Sequence, residues 1–238
     1  MEIRNKIQLL PWHPTRRWSA RSLDKIKKII VHQELGESNV EGVNQYHIGP
    51  NHVSPRGCPH FCYHFGIEKD GSIVQANELS SITWHTKGYN TESVGIMLVG
   101  NFNGTGYALG KEGPSQQQMD ALQWLVDWLQ KALNLSNQEV YGHYHFGKPA
   151  CPGYVVSRWI ENYRNDIVNR GEGILKPITD ETDLQTRLKK LGYYIGNIDG
   201  IVGMQTKQAI FQFQKNNGLT VDGIVGPQTS KKIMELTK

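Results

Sequence analysis

Lys28-Ile29-Ile30-Val31-His32 and Val94-Gly95-Ile96-Met97-Leu98-Val99 are short, near-continuous apolar runs rich in β-branched residues, and they read as strands buried inside a sheet. Between them, Tyr63 to Gln75 surrounds Asp70-Gly71, a pattern that predicts a hairpin turning at that dipeptide. Val140-Tyr141-Gly142 predicts one more strand. Elsewhere the period changes to that of helices. Ser115-Gln116-Gln117-Gln118 fits a capping box, and Met119, Leu122, Leu125, Val126, Leu129 and Leu133 then recur on one helical face. A further helix carries Trp159, Ile160, Tyr163 and Ile167. Strands interleaved with helices predict an α/β fold with a mixed central sheet flanked by helices.

The last quarter of the chain follows another pattern. Asp199-Gly200-Ile201-Val202-Gly203-Met204-Gln205-Thr206 returns 23 residues later as Asp222-Gly223-Ile224-Val225-Gly226-Pro227-Gln228-Thr229, two copies of one structural unit. Each copy reads as an Asp-Gly turn, an apolar pair, a second Gly and a helix start. Leu184, Leu188 and Leu191 precede the first copy at helical spacing, with Gly192 placed to end that helix; Ala209, Ile210 and Phe213 repeat the spacing before Gly218. Asn169 to Pro177, with two Gly and a Pro and no period, reads as a linker. The expected division is a larger domain over 1–168, a linker over 169–179 and a compact three-helix domain over 180–238.

The 238 residues are 38% hydrophobic, 20% charged and 9% aromatic, a balance that excludes a disordered, collagenous or disulfide-stapled chain. No apolar run approaches the roughly 18 residues that a spanning helix needs, and Met1-Glu2-Ile3-Arg4-Asn5-Lys6 opens no secretory apolar stretch. Synthesis in the cytoplasm and no membrane span are therefore expected. A net charge of +4, with no basic run longer than a pair, gives no nucleic-acid footprint. It is compatible with weak steering toward an anionic polymer.

Nine histidines all fall between His13 and His145. Ligands converge where strand ends and loops meet. That criterion selects His32 at the end of its apolar run, His143 after Val140-Tyr141-Gly142, and Cys151 in the loop Lys148-Pro149-Ala150-Cys151-Pro152-Gly153. Two imidazoles and a thiolate would leave one corner of a tetrahedral Zn²⁺ open, as a hydrolytic site requires. Spacing alone does not separate this set from buried structural histidines beside an inert thiol. His145, two residues past His143, would face the opposite side of an extended chain. Cys58-Pro59-His60-Phe61-Cys62 admits three readings: a closed metal site completed by His47, His52 or His64, a local disulfide, or free thiols. Trp124 and Trp128, four apart, read as core or interface residues.

His32 after Ile-Ile-Val, Tyr63-His64-Phe65 before Lys69-Asp70-Gly71, Trp84-His85 before Gly88-Tyr89-Asn90, Val94-Gly95-Ile96, Val99-Gly100 and His143 with Cys151-Pro152-Gly153 occur in one order. Together, over about residues 25 to 165, they resemble the type 2 zinc N-acetylmuramoyl-L-alanine amidases, the group of phage lysozyme-amidases and peptidoglycan recognition proteins. Residues 180–238 independently resemble a three-helix peptidoglycan-binding domain, through Leu184-Gln185, Leu191-Gly192-Tyr193, the two Asp-Gly-Ile-Val-Gly repeats and Phe213-Gln214. The resemblance implies that His32, His143 and Cys151 hold zinc and that Tyr63 stands beside the metal as a donor to the substrate oxyanion or to water. It also implies that His85 lines the cleft as a substrate-binding residue.

Two positions depart from the family pattern. Pro149 stands where many relatives have Lys or Thr, and Lys148, one residue earlier, is expected to reach the oxyanion instead. Met97 stands where some relatives carry a general-base Glu, and Glu92 is near in sequence without matching it. The insertion from His47 to His60 is expected to border the substrate groove. The implied activity is hydrolysis of the amide between N-acetylmuramic acid and L-alanine in bacterial peptidoglycan, as in a phage endolysin that reaches the wall after membrane permeabilisation. The alternatives are a recognition protein that binds muropeptide without cutting it, and a peptidase acting within the stem peptide.

Overall fold

The computed structural model describes residues 1–102, 113–165, 178 and 180–237. The two apolar runs are adjacent parallel strands of a six-stranded sheet: β2 (Lys28–Gln33) and β5 (Ser93–Leu98) pair from Lys28↔Ser93 to Gln33↔Leu98. The hairpin falls where Asp70-Gly71 places it, as antiparallel β3 (Phe65–Ile67) and β4 (Ile73–Gln75). Gly71 takes φ +82, and Asp70 Oδ1 accepts the Ser72 N–H at 2.8 Å. With β1 (Ile3–Asn5) beside β4 and β6 (Val140–Gly142) beside β2, the order is β1-β4-β3-β5-β2-β6, parallel everywhere except between β3 and β4. The sheet is mixed, as the sequence predicts.

Alternation along the strands sorts side chains to two faces. Ile29, Val31, Val94, Ile96 and Leu98 join α2 (Gln116–Leu133) and α3 (Tyr154–Arg164) in the larger core, where Leu122, Leu125, Leu129, Val156 and Ile160 are fully buried. Each such side chain contributes about 1.5–3 kcal/mol by leaving water. Met97 and Val99 face the other way, toward Phe61, Tyr63 and the Val40 and Val43 side chains of α1 (Val40–Ile48). His32 lies opposite Met97 in the β2/β5 register and shares that second face. One face of the sheet is therefore committed to apolar packing, and the thinner α1 side carries the polar groups.

The capping box at Ser115 forms in both directions at 3.0 Å, and Gln118 also donates to the Ile67 and Val99 carbonyls, tying the start of α2 to the ends of β3 and β5. Trp124 packs against the larger core and Trp128 meets Phe65 edge-on, as structural residues. The sequence gives no sign of α1. That helix buries only Val40 and Val43 beside polar Asn44 and His47, with Gly42 inside it, so no apolar stripe announces it.

α4 (Glu181–Lys190), α5 (Met204–Asn216) and α6 (Pro227–Leu236) bury a separate core of Leu184, Leu188, Ala209, Ile210, Phe213 and Ile233. The duplication extends to its hydrogen bonds. Gln185 Oε1 accepts the N–H groups of Asp199 and Gly200, and its amide donates to Asp199 Oδ1, the Ile201 carbonyl and Thr206 Oγ1. Gln214 repeats each of these contacts with Asp222, Gly223, Ile224 and Thr229. The second copy faces α3: the Tyr154 hydroxyl donates to the Val225 carbonyl, and buried Arg158 donates to Ser230 Oγ at 3.1 Å and to the Ile178 carbonyl at 2.9 Å. Ile167 and, apart from Ile178, the predicted linker lie outside the described residues. Gln214→Leu would leave two turn N–H groups without their acceptor, at about 1–3 kcal/mol for each buried group. Amide exchange over 204–237, read by mass spectrometry, should accelerate while that of β2 and β5 stays unchanged; equal protection of 204–237 would contradict the role.

Candidate metal centre and active site

Because β2 runs parallel to both β5 and β6, the carboxyl ends of these strands leave the sheet at one edge, where open α/β sheets place their ligands. The register sets Val31 against Gly142, so the next residue of each strand, His32 and His143, emerges side by side. His143 begins a 3₁₀ turn through Phe146. The chain then folds back through two backbone bonds, Tyr144 N–H to the Cys151 carbonyl at 2.8 Å and Cys151 N–H to the Lys148 carbonyl at 2.9 Å. His32 Nδ1 and His143 Nδ1 stand 3.1 Å apart, and Cys151 Sγ is 4.0 Å from His32 Nδ1. The three donor atoms all lie within 4.8 Å of one another, and no other such group of three occurs among the described residues.

Gln33, the residue after His32, fixes the third arm. Its side chain donates to the Ala150 carbonyl at 2.6 Å and accepts the Phe102 N–H at 2.5 Å, while its own N–H points at Cys151 Sγ at 3.4 Å. Sequence reading passed over this residue; its position at the end of a buried strand, beside a proposed ligand, was the available signal.

The cluster lines a cleft of about 370 Å³ whose walls also include Glu34, Tyr46, His52, Tyr63, Met97 and Lys148. Tyr63 lies with its ring centroid 4.9 Å from that of His32. Burial, reinforced by the Cys151 sulfur, pushes the Tyr63 phenol well above its usual range, so it remains a proton donor. Burial also holds the imidazoles neutral: His32 is driven far down, with His85 and His143 adding to the effect, and His143 falls to about 4 with help from Lys148. Burial raises the Cys151 thiol to about 11, against the opposing pull of the Gln33 N–H and Lys148. Glu34 is the one carboxylate among the described cleft residues. Its oxygens accept the N–H groups of Ser38 at 3.0 Å and Gly100 at 3.1 Å.

The structure corrects the placement of His85 and the argument about His145, and it chooses among the open readings of Cys58 and Cys62. His85 does not line the cleft: the residue is 6% exposed and its ring lies behind His32, with Nδ1 3.1 Å from His32 Nε2. His145 is no ligand, but the cause is not an extended chain; it sits in the 3₁₀ turn, its ring 4.1 Å from that of Tyr144 and its Nε2 3.5 Å from Glu161. Cys58 and Cys62 are free thiols, and their backbone N–H groups bond to the His47 carbonyl and His47 Nδ1, which leaves that nitrogen no role in a metal site. Glu92 pairs with Lys28 at 2.8 Å, at the opposite end of β2 from His32. His47 and His52 of the insertion do border the cleft.

Two outcomes follow from this geometry. Gln33→Leu should release the Cys151 loop and speed thiol labelling of Cys151 in the metal-free chain by about tenfold, with Cys58 and Cys62 still protected; unchanged labelling would contradict the anchor. His47 and His143 near 4 and His85 near 3 lie below the unfolded value of about 6.5. Their neutral burial therefore supports the fold fully above pH 6.5 and progressively less as pH falls toward 4 and 3. Urea midpoints of the metal-free chain should drop through that window, and a flat profile would contradict it.

A family model described as N-acetylmuramoyl-L-alanine amidase matches residues 22–154, and one described as a putative peptidoglycan binding domain matches residues 180–233. The endolysin of Klebsiella phage KP32 is 31% identical over 111 residues, covering 47% of this chain and 70% of that protein. The N-acetylmuramoyl-L-alanine amidase CwlH of Bacillus subtilis is 27% identical over 188 residues, 66% of this chain and 71% of the relative. Among solved structures, the amidase LysC from Clostridium intestinale URNW aligns with a TM-score of 0.53 at 22% identity, over 71% of this chain and 99% of that one. Bumblebee PGRP-SA aligns with a TM-score of 0.54 at 24% identity, over 68% and 94%. At such identities these two share the fold. The amidase match spans more than half of the 238 residues, and the chain belongs to the N-acetylmuramoyl-L-alanine amidase family: it is a peptidoglycan-lytic amidase that also carries a peptidoglycan-binding domain.

Proposed function

We propose that His32, His143 and Cys151 hold one catalytic Zn²⁺ and that the amide between N-acetylmuramic acid and L-alanine is cut in the cleft beside it. The observation that carries this reading is the convergence of two imidazole nitrogens and one sulfur from separate parts of the chain in the wall of one cleft. The donor set fits. Zn–N bonds of 2.0–2.1 Å in tetrahedral geometry would set the nitrogens about 3.3 Å apart, close to the 3.1 Å found. When bound, zinc would supply a water of lowered pKa and a Lewis acid for the scissile carbonyl.

The chain's own groups do the rest. Tyr63, kept protonated, donates a hydrogen bond to the oxygen that gains charge as the carbonyl is attacked. The exposed Lys148, at the cleft rim, adds a mobile positive charge to the same oxygen. Met97 forms an apolar floor where a carboxylate base would otherwise stand. Residues 180–238 hold the enzyme on its insoluble substrate and raise the local concentration of scissile bonds. The phage endolysin relatives support a site of action at the bacterial wall, reached after the membrane is permeabilised, and no helix among the described residues is long and apolar enough to cross a membrane.

Cys151→Ser should lose bound zinc, measured by elemental analysis, together with activity, measured as new L-alanine amino termini on purified walls, by on the order of 100-fold or more. Tyr63→Phe should keep its zinc and lose about 10²–10³ in kcat. Full hydrolysis by Cys151→Ser would overturn the ligand assignment, and release of fragments without new L-alanine termini would move the cut into the stem peptide.

A further inference from the structure

His32 has two ring nitrogens, and they face different surroundings. Nδ1 looks toward His143 Nδ1 and Cys151 Sγ; Nε2 looks inward, 3.1 Å from His85 Nδ1. Which nitrogen carries the proton is decided further along the chain of contacts. The Tyr89 carbonyl can only accept, so the Ser93 hydroxyl, 2.7 Å away, donates to it. Ser93 Oγ is then the acceptor for His85 Nε2–H at 3.2 Å. A neutral His85 protonated on Nε2 has a bare Nδ1, which accepts from His32 Nε2–H. His32 protonated on Nε2 presents an Nδ1 lone pair to the metal position. The Thr86 hydroxyl, 3.0 Å from His85 Nδ1 and 3.4 Å from His32 Nε2, bridges the same two rings. With His85 so fixed, a proton on His32 Nδ1 in place of Nε2 would set two lone pairs against each other at 3.1 Å, and reversing both rings would set a bare His85 Nε2 against the Ser93 oxygen at 3.2 Å.

A second observation concerns the seat of the His85 ring. A Cβ on Gly95 would stand 2.6 Å from His85 Cγ and 2.9 Å from its Nδ1. The imidazole lies against the bare backbone of β5, and any side chain at position 95 would displace it.

We propose that the Tyr89 carbonyl, Ser93 and His85 form a proton-ordered relay that fixes His32 in its Nε2–H tautomer, presetting the metal site before an ion arrives. This rests on the reading that His32, His143 and Cys151 hold a metal. His85 and Ser93 are positioning residues that act through His32. Orientation of a ligating histidine by a partner on its other nitrogen is a general device. Here the partner is a neutral imidazole, so the relay adds no charge, and two imidazoles with one thiolate leave a divalent ion at a net +1.

The test uses the full chain in two measurements. In ¹⁵N-histidine-labelled, metal-free protein, nitrogen shifts should report His32 and His85 both as Nε2–H tautomers. In chelator competition, His85→Phe should weaken zinc binding by about 10–100-fold, Ser93→Ala and Gly95→Ala should weaken it in the same direction, and His85→Asn, whose Oδ1 can still accept from His32, should recover most of the loss. Metal-free melting temperatures separate these effects from a general loss of stability. Wild-type His32 carrying its proton on Nδ1, or variants that match a tightly binding wild type, would overturn the relay alone. A wild-type chain that binds no zinc would overturn the metal reading and the relay with it. If His85→Phe does not fold, Ser93→Ala and the wild-type spectrum decide.

Discussion

The site follows from the parallel register of β2 with its two neighbours. With Val31 set against Gly142 and His32 against Met97, the ends of β2 and β6 deliver one imidazole each to the same edge, on the face turned away from the large core. A one-residue slip would turn His32 toward α2 and α3 and put an aliphatic residue in the cleft. That register is held by Ile29, Val31, Val94, Ile96 and Leu98, which pack beneath the helices. The apolar half of the sheet thus sets the geometry of the polar half. The third donor depends on Gln33, adjacent to His32, which clasps the loop that carries Cys151.

Low polarity around the cluster sets its chemistry. Burial keeps the imidazoles unprotonated and the Tyr63 hydroxyl protonated, the states that ligation and hydrogen-bond donation require, whereas the Cys151 thiol, raised to about 11, gives up its proton only on binding an ion. The one carboxylate among the described cleft residues, Glu34, is engaged by backbone N–H groups, and the strand position opposite His32 is the thioether of Met97. In the proposed reading a phenol supplies the hydrogen bond and an exposed lysine the positive charge, a different division of labour from a site with a carboxylate base on the strand.

Much of this was legible in the residues. Continuous aliphatic runs gave the central strands, Asp70-Gly71 the hairpin, Ser115 to Gln118 the start of α2, and the doubled Asp-Gly-Ile-Val-Gly unit the helical domain. His32 and His143 stand out by their places at strand ends and Cys151 by its loop, and the order of the surrounding motifs raises that set above its rivals. What stayed hidden depends on tertiary contacts. α1 has too narrow an apolar stripe to show its period, and His85 was assigned to the cleft because the motif gives proximity to the site but not the side of His32 from which a ring approaches. The extended-chain argument does not reach His145, since the strand ends at Gly142 and a 3₁₀ turn follows. Gln185 and Gln214 could be named from sequence, but their function as buried clasps on the two Asp-Gly turns is visible only in three dimensions.

The central claim is that two histidines and one cysteine, remote in sequence, close around a single zinc with one corner left to solvent. X-ray absorption at the zinc edge of the loaded full chain tests it most directly. The account predicts one sulfur at about 2.3 Å and three nitrogen or oxygen neighbours at about 2.0–2.1 Å, two of them with the outer-atom scattering of imidazole. A spectrum without sulfur, or one with two or more sulfurs, would contradict it.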